Sequence, residues 1–357
     1  MRADRPAPEI VSEGADPAVV GPYLAEHLGD EAWRRCRVGL VPGGKSNLTY
    51  LVEGEEEGRE VILRRPPLGH VLPTAHDMVR EFRVLDALEG TAVPVPTPLH
   101  LCEDGSVLGV DFYVMERCHG HVIRAAMPAG YAQSDGERRR IADTLVDNLV
   151  ALHAVDWRAA GLEGFGRPQG FMERQIRRWT QQWERSQTRD LPQIDRLIAG
   201  LKARLPSSPA PTIVHGDYRL DNTMLDPDDP GRIVAILDWE MATIGDPLAD
   251  IGLLCVYWVE EGDTQQREAL GGIAPTAVKG FPSRAEVAAR YGRSSGRDLR
   301  HLPFYCAFGY FKLAAVLEGI HARFLQGKTR GEGFEAVGER VLPLVELGLE
   351  ALHGDEV

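Results

Sequence analysis

The hydrophobic pattern of this chain changes character once, near Arg117. Before that point short apolar runs alternate as strands do; after it they recur every three or four residues, as helices do. The chain therefore reads as an α+β protein, with a small strand-rich lobe joined to a larger, mainly helical one. At 357 residues and 43% hydrophobic content it is long enough to give each lobe its own core.

In the first lobe, Leu48 to Glu53 (LTYLVE) alternates and contains Thr, Tyr and Val, and Val61 to Arg64 (VILR) makes a second short strand. The acidic, Gly-bearing GEEEG between them predicts a hairpin turn. A helix is expected over 75–88, with Met78, Phe82, Leu85 and Leu88 on one face, ended by the Pro-rich VPVPTPL. LHLCED and LGVDFYVME predict two more strands joined by a Gly-Ser turn. Beyond Arg117, SDGE (Ser134 to Glu137) has capping-box form and opens a helix carrying Ile141, Leu145, Leu149 and Leu152. Helices are expected over 171–188, 193–203, 304–325 and 334–352. Asp246-Pro247 reads as an N-cap followed by Pro at the first helical position.

Composition excludes several classes of function. Lys and Arg total 40 against 53 Asp and Glu, a net charge of −13, and no basic stripe is visible, which argues against a nucleic-acid partner. The 5 cysteines are odd in number and lack CxxC spacing, so reduced thiols in a cytoplasmic protein are expected. The N-terminal stretch has no apolar core of a secretory signal. The most apolar segment, Ile251 to Val259, falls short of the ~18 residues of a membrane span. No membrane role is expected.

The chemistry concentrates in two places. VHGDYRLDN brings together His215, Asp217 and Asn222, and the aliphatic run RIVAILD ends in Asp238. Phosphoryl transfer needs a carboxylate to take the acceptor hydroxyl's proton and hard oxygen ligands for Mg²⁺. Asp217 suits the first task, Asn222 and Asp238 the second. A strand over 233–237 would place Asp238 rigidly at its end.

HGDYRLDN matches the H-x-D-x-x-x-x-N loop of kinases, and LDWE stands where protein kinases carry D-F-G. His-Gly-Asp and Asp-Trp-Glu in these places resemble the aminoglycoside phosphotransferase and choline kinase-like family. FPSRAEVAARYGRSSGRD and FKLAAVLEGIHARF are most similar to the branch also found fused to acyl-CoA dehydrogenases. The resemblance implies a protein kinase-like two-lobe fold, with residues 1–117 as a nucleotide-binding lobe ending in a hinge and 118–357 as a helical lobe carrying the catalytic loop, metal site and acceptor pocket. It implies an ATP- and Mg²⁺-dependent phosphotransferase, with GTP the alternative nucleotide, acting on a hydroxylated small molecule, a metabolic acceptor before an aminoglycoside. PGGKSNLTYLV resembles the family's nucleotide loop, so Gly43, Gly44, Lys45, Ser46 and Asn47 are expected to cover the phosphates. VILR places Arg64 at the phosphate-binding lysine's position, with Glu81 its partner from the helix. FYVMERCHG resembles the hinge, whose backbone near Glu116 and Cys118 would meet adenine. In GDPLADIG, Asp250 would brace the catalytic loop, and His215 would be structural.

Two departures stand out. Arg64 replaces lysine, and a guanidinium differs from an ammonium in shape and reach. The loop lacks a full G-x-G-x-x-G. A non-catalytic nucleotide-binding regulator is therefore the second reading. A third is a P-loop NTPase, because GLVPGGKS fits G-x-x-x-x-G-K-[ST] letter for letter. A P-loop must open a helix, whereas NLTYLVE reads as a strand. Glu240 reads equally as a site or a surface carboxylate. Trp179 and Trp183, four apart on a helix, read as packing; Asp226, Asp228 and Asp229 as a solvated turn; Tyr305 and Phe308 as contributors to the acceptor pocket.

Overall fold

A computed structural model describes residues 13–42, 47–69, 76–263, 275–328 and 334–354. The chain divides into two compact units: Met1–His119 with Ala235–Glu240, and Gly120–Val234 with Met241–Val357.

The first unit is built on an antiparallel sheet of five strands, β1 (Cys36–Leu40), β2 (Leu48–Gly54), β3 (Glu60–Arg65), β4 (Pro98–Cys102) and β5 (Phe112–Glu116), in the order β1-β2-β3-β5-β4. The expected hairpin is present, with Leu51 opposite Ile62 and Tyr50 opposite Leu63. One face of the sheet buries Val38, Tyr50, Val52, Leu63, Phe112 and Val114 against Val20 and Leu24 of helix α1 (Pro17–His27). Side chains alternate along β3, so Val61, Leu63 and Arg65 are buried on one face and Arg64 turns to the other. That alternation brings Arg64 beside Tyr113 of β5, its partner in register.

Helix α2 runs Met78–Leu88, starting later than the pattern predicts because Asp77 caps it through the Arg80 amide at 2.9 Å. Its buried face differs from the apolar reading. Met78, Leu85 and Leu88 are buried as expected, but Glu81 and Val84 join them. Phe82 is only half-buried, with its ring edge-on to Tyr113. A carboxylate can sit on a buried face when a cation meets it there, a relationship that hydrophobic spacing does not encode. The Gly-Ser turn between β4 and β5 is a single helical turn, α3 (Gly105–Leu108), capped by Asp104 and ended by left-handed Gly109.

The second unit begins with α4 (Asp135–Ala154), whose Ser134–Glu137 capping box is present as the sequence predicts. Helices α5 (Phe171–Ser186) and α6 (Pro192–Ala203) follow, then a short strand β6 (Thr212–Val214) paired with β9 (Thr243–Gly245). Between them β7 (Thr223–Leu225) leads through a turn to β8 (Ile233–Ile236), which carries the chain back into the first unit. Asp226 is not a solvated turn residue: it is buried and accepts the Asp228 and Asp229 amides, which shapes the turn.

Helix α7 (Leu248–Tyr257) begins one residue after the predicted Asp246-Pro247 start, with the Asp246 side chain accepting the Leu248 amide at 3.0 Å. Helix α8 (Arg284–Ser295) opens on a second capping box, Ser283–Glu286, absent from the sequence reading. Helix α9 (Leu302–Leu325) is the hub of the unit, burying residues around most of its circumference against α5, α7 and α10 (Val341–His353). Trp179, Trp183, Tyr305 and Phe308 are all buried in this core, so packing accounts for the two tryptophans and the latter pair is no open pocket wall. Gly252 of α7 sits where a Cβ would lie 2.6 Å from Tyr305 Cβ, so these helices approach more closely than any larger residue allows. The helix expected over 334–352 is two pieces, a 3₁₀ turn (Val337–Arg340) and α10; Pro343 then falls in a first turn, where a missing N–H leaves no bond unmade. Among the described residues no helix is long and apolar enough to cross a membrane.

Candidate active site

In the helical unit, the segment after β6 is held from below by one carboxylate. Asp250, fully buried in the first turn of α7, accepts the His215 amide at 2.7 Å and the Gly216 amide at 2.8 Å. His153 of α4 approaches the same carboxylate at 3.3 Å and bonds the Tyr291 hydroxyl at 2.7 Å through its other nitrogen. Burial alone would push the Asp250 pKa up; the His153 interaction and the loop amide outweigh it and hold it below the usual carboxylate range. Burial pushes His153 in the direction of the neutral ring, against the pull of Asp250. His215 is fully buried, and its Nδ1 accepts the Asp217 amide at 3.2 Å, the structural part the resemblance implies.

The loop can bend here because residue 216 is glycine. Its φ is +84°, and a Cβ would stand 2.8 Å from the Met241 carbonyl oxygen. The Gly216 carbonyl accepts Lys312 Nζ at 2.5 Å, and that ammonium also lies over the Trp179 ring, 5.6 Å from its centroid. Burial lowers the Lys312 pKa, while the charges of Asp217 and Asp250 oppose the shift.

Asp217 and Asn222 are joined directly. Asn222 Nδ2 donates to the Asp217 carbonyl at 2.8 Å and to its Oδ2 at 2.9 Å, leaving the amide oxygen of Asn222 as an acceptor for another ligand. Arg219 bonds Asp221 at 2.8 Å, lies 3.5 Å from Asp217, and places its guanidinium over the Tyr257 ring at 4.5 Å. Burial raises the Asp221 pKa, opposed by Arg219 and reinforced by Asp217. Lys312 and Tyr257 were not legible as site residues, since no local motif marks them; Arg219 stands inside HGDYRLDN, at a position the motif leaves open.

In the sheet unit, Arg64 and Glu81 form the expected pair, Nε to Oε2 at 2.8 Å. The same guanidinium reaches Asp238 Oδ1 at 2.7 Å, a contact the sequence reading did not contain. Glu81 is also bonded by Tyr113 at 3.0 Å and by Asn47 Nδ2 at 2.6 Å, and Asn47 Oδ1 meets His76 Nδ1 at 2.7 Å. Burial opposes the Arg64 charge, but Glu81 and Asp238 more than compensate and raise its pKa. Burial raises Glu81, against the pull of Arg64.

Asp238 has a left-handed backbone, φ +66°, a conformation that Asp tolerates better than most residues and that clusters at functional sites. The strand before it is anchored by the Ile236 amide on the Pro94 carbonyl at 2.8 Å. Glu240 is half-buried, 3.5 Å from Asn47 Nδ2.

Of the remaining predicted residues, Gly43, Gly44, Lys45 and Ser46 lie outside the described residues. Asn47 is described, and its side chain is turned to Glu81 and His76. β2 begins at Leu48, so a strand stands where a P-loop needs its helix. At the segment expected to form the hinge, the Glu116 amide bonds the Thr97 carbonyl at 2.9 Å and its carboxylate accepts the Thr97 hydroxyl at 2.7 Å. Burial, helped by Glu116, pushes the Cys118 thiol up to about 11.

The model of the phosphotransferase enzyme family (APH) matches residues 37–287, from β1 into α8. This chain belongs to that family. Among curated relatives of this chain, acyl-CoA dehydrogenase family member 10 of Mus musculus is 35% identical over 326 residues, covering 91% of the chain but only 30% of the relative. The chain thus spans less than a third of that relative's length. Among solved structures, a candidate aminoglycoside phosphotransferase from Ralstonia eutropha JMP134 is 34% identical with a TM-score of 0.80, covering 95% of this chain and 98% of its own. The choline kinase of Cryptosporidium parvum Iowa II, 12% identical, superposes with a TM-score of 0.63, covering 95% of this chain and 96% of its own, a likeness of fold alone. The fold is kinase-like, a small antiparallel-sheet lobe and a larger helical lobe, as the sequence predicts.

Proposed function

We propose that this phosphotransferase moves the γ-phosphoryl group of ATP to a hydroxyl of a small molecule, with Mg²⁺ as the metal. The observation that carries the reading is the Asp217–Asn222 pair on a loop braced by Asp250, in a chain of the phosphotransferase enzyme family. ATP with Mg²⁺ supplies the phosphoryl group and the positive charge that offsets its oxygens.

The residues fit the metal. Magnesium takes hard oxygen ligands and keeps several from water and phosphate, so one or two from protein suffice. Asn222 spends its amide N–H groups on Asp217, which frees its oxygen, and the Asp238 carboxylate is 35% exposed. These two are the proposed ligands.

Asp217 orients the acceptor hydroxyl and accepts its proton. Arg64, held by Glu81, binds phosphate oxygens, and the loop from Gly43 to Asn47 covers them. The backbone near Glu116 and Cys118 receives the base. In this reading residues 1–117 serve the nucleotide and 118–357 serve the acceptor. The match to an acyl-CoA dehydrogenase family member supports a metabolic acceptor over an aminoglycoside. Screening hydroxylated metabolites, among them choline, sugars, hydroxyacyl thioesters and aminoglycosides, for ADP release tests the proposal. The Arg64–Asp238 bond favours one rival, a regulator that binds nucleotide without turnover. Nucleotide binding with no ADP release across the whole panel would select that rival.

A further inference from the structure

One guanidinium in the sheet unit serves two carboxylates that are held very differently. Glu81 is fixed through both oxygens, Oε1 by Asn47 at 2.6 Å and Oε2 by Tyr113 at 3.0 Å, independently of Arg64. It is almost fully buried, and it meets Arg64 Nε as an ion pair at 2.8 Å, without a hydrogen bond at that nitrogen. Asp238 is the more exposed partner, at 35%, and sits on a left-handed backbone turn just past the end of a strand. Its bond is to a different nitrogen of the guanidinium, the terminal NH2, at 2.7 Å.

We propose that Arg64 is a latch on Asp238 that makes metal entry depend on nucleotide. With no phosphate present, the guanidinium occupies the carboxylate oxygen that a cation would take. When phosphate oxygens arrive, the terminal nitrogen transfers to them while Nε stays on Glu81, and the carboxylate is released to the metal. Metal therefore enters with the nucleotide and not ahead of it. The arginine at this position acquires a purpose that a lysine serves less well. A planar fork offers separate nitrogens, one for the permanent partner and one for the exchanged partner, whereas an ammonium presents a single nitrogen to both. The inference rests on the reading of Asp238 as a metal ligand.

The test is Mn²⁺ binding to the purified chain, followed by loss of the free-ion EPR signal, with and without a non-hydrolysable ATP analogue. Wild type is expected to bind Mn²⁺ weakly alone and tightly with the analogue. Arg64→Met should bind Mn²⁺ alone about tenfold more tightly than wild type, the size of one charge-assisted hydrogen bond. Adding Asp238→Asn to that variant should abolish the gain. Arg64→Lys, which keeps the charge, should show a smaller gain in the same direction, so the result does not depend on the methionine variant folding. If neither variant binds the free ion better than wild type, yet wild type binds Mn²⁺ with the analogue, the latch is wrong and the phosphotransferase reading survives. If wild type binds no Mn²⁺ even with the analogue, both fall.

Discussion

The side-chain amide of Asn222 grips Asp217 twice, once at its carbonyl (2.8 Å) and once at its carboxylate (2.9 Å). The proposed base and the proposed metal ligand are thus one mechanical unit, and disturbing either should disturb both.

Replacing Asp217 by Asn should leave the fold intact and cost roughly 10²–10⁴ in turnover, the usual worth of a positioned general base. Its carboxylate is partly exposed, and asparagine keeps its size and shape. ADP release alongside thermal unfolding checks this; an unchanged rate would remove Asp217 from the mechanism.

Asp238→Ala is expected to abolish the Mg²⁺-dependent part of nucleotide binding while leaving a weaker metal-independent part. Calorimetric titration with nucleotide, in Mg²⁺ and then in EDTA, separates the two. Equal affinities of variant and wild type in Mg²⁺ would remove Asp238 as a ligand.

Asp250 should matter for stability as much as for rate. Asp250→Ala strands the His215 and Gly216 amides in a buried site, at a cost of about 3 kcal/mol or more. Urea unfolding should show a midpoint shifted down accordingly, and a shift within error of zero would mean the loop holds itself.

A pH effect should arise at Asp246. Burial pushes its pKa up to about 6, partly offset by the Tyr305 hydroxyl donating to it at 2.6 Å. An acid whose pKa is raised on folding binds its proton more tightly in the folded state. Its contribution is therefore fully present below the unfolded value and is lost as pH climbs from about 4 to about 6. Asp246→Asn should flatten the pH dependence of unfolding free energy in that window, relative to wild type, by up to about 3 kcal/mol. Parallel denaturation curves at pH 4 and pH 6.5 measure it; identical slopes for both proteins would refute the assignment.

Much of this molecule was legible from short stretches. The β2–β3 hairpin, the Ser134 capping box and the 3.6-residue pattern of α4 follow from interactions within a few residues of each other, so local composition reveals them. The spacing of Asp217 and Asn222 is of the same kind: five residues and one tight turn suffice to join them. The order of these local pieces along the chain, and their resemblance to one family, pointed to the kinase-like fold.

What the chain alone concealed is what lies far apart in it. Arg64 and Asp238 are separated by 174 positions, Lys312 and Gly216 by 96. The buried place of Glu81 on α2 is invisible to a hydrophobic pattern, because a carboxylate counts as polar until its cation is in place. The sequence by itself determined which backbone segments become strands, helices and tight turns, since those choices rest on neighbouring dihedral preferences and side-chain alternation. Only the tertiary structure decided which charges share one buried space, because pairing there depends on how whole elements pack and on the desolvation that packing imposes.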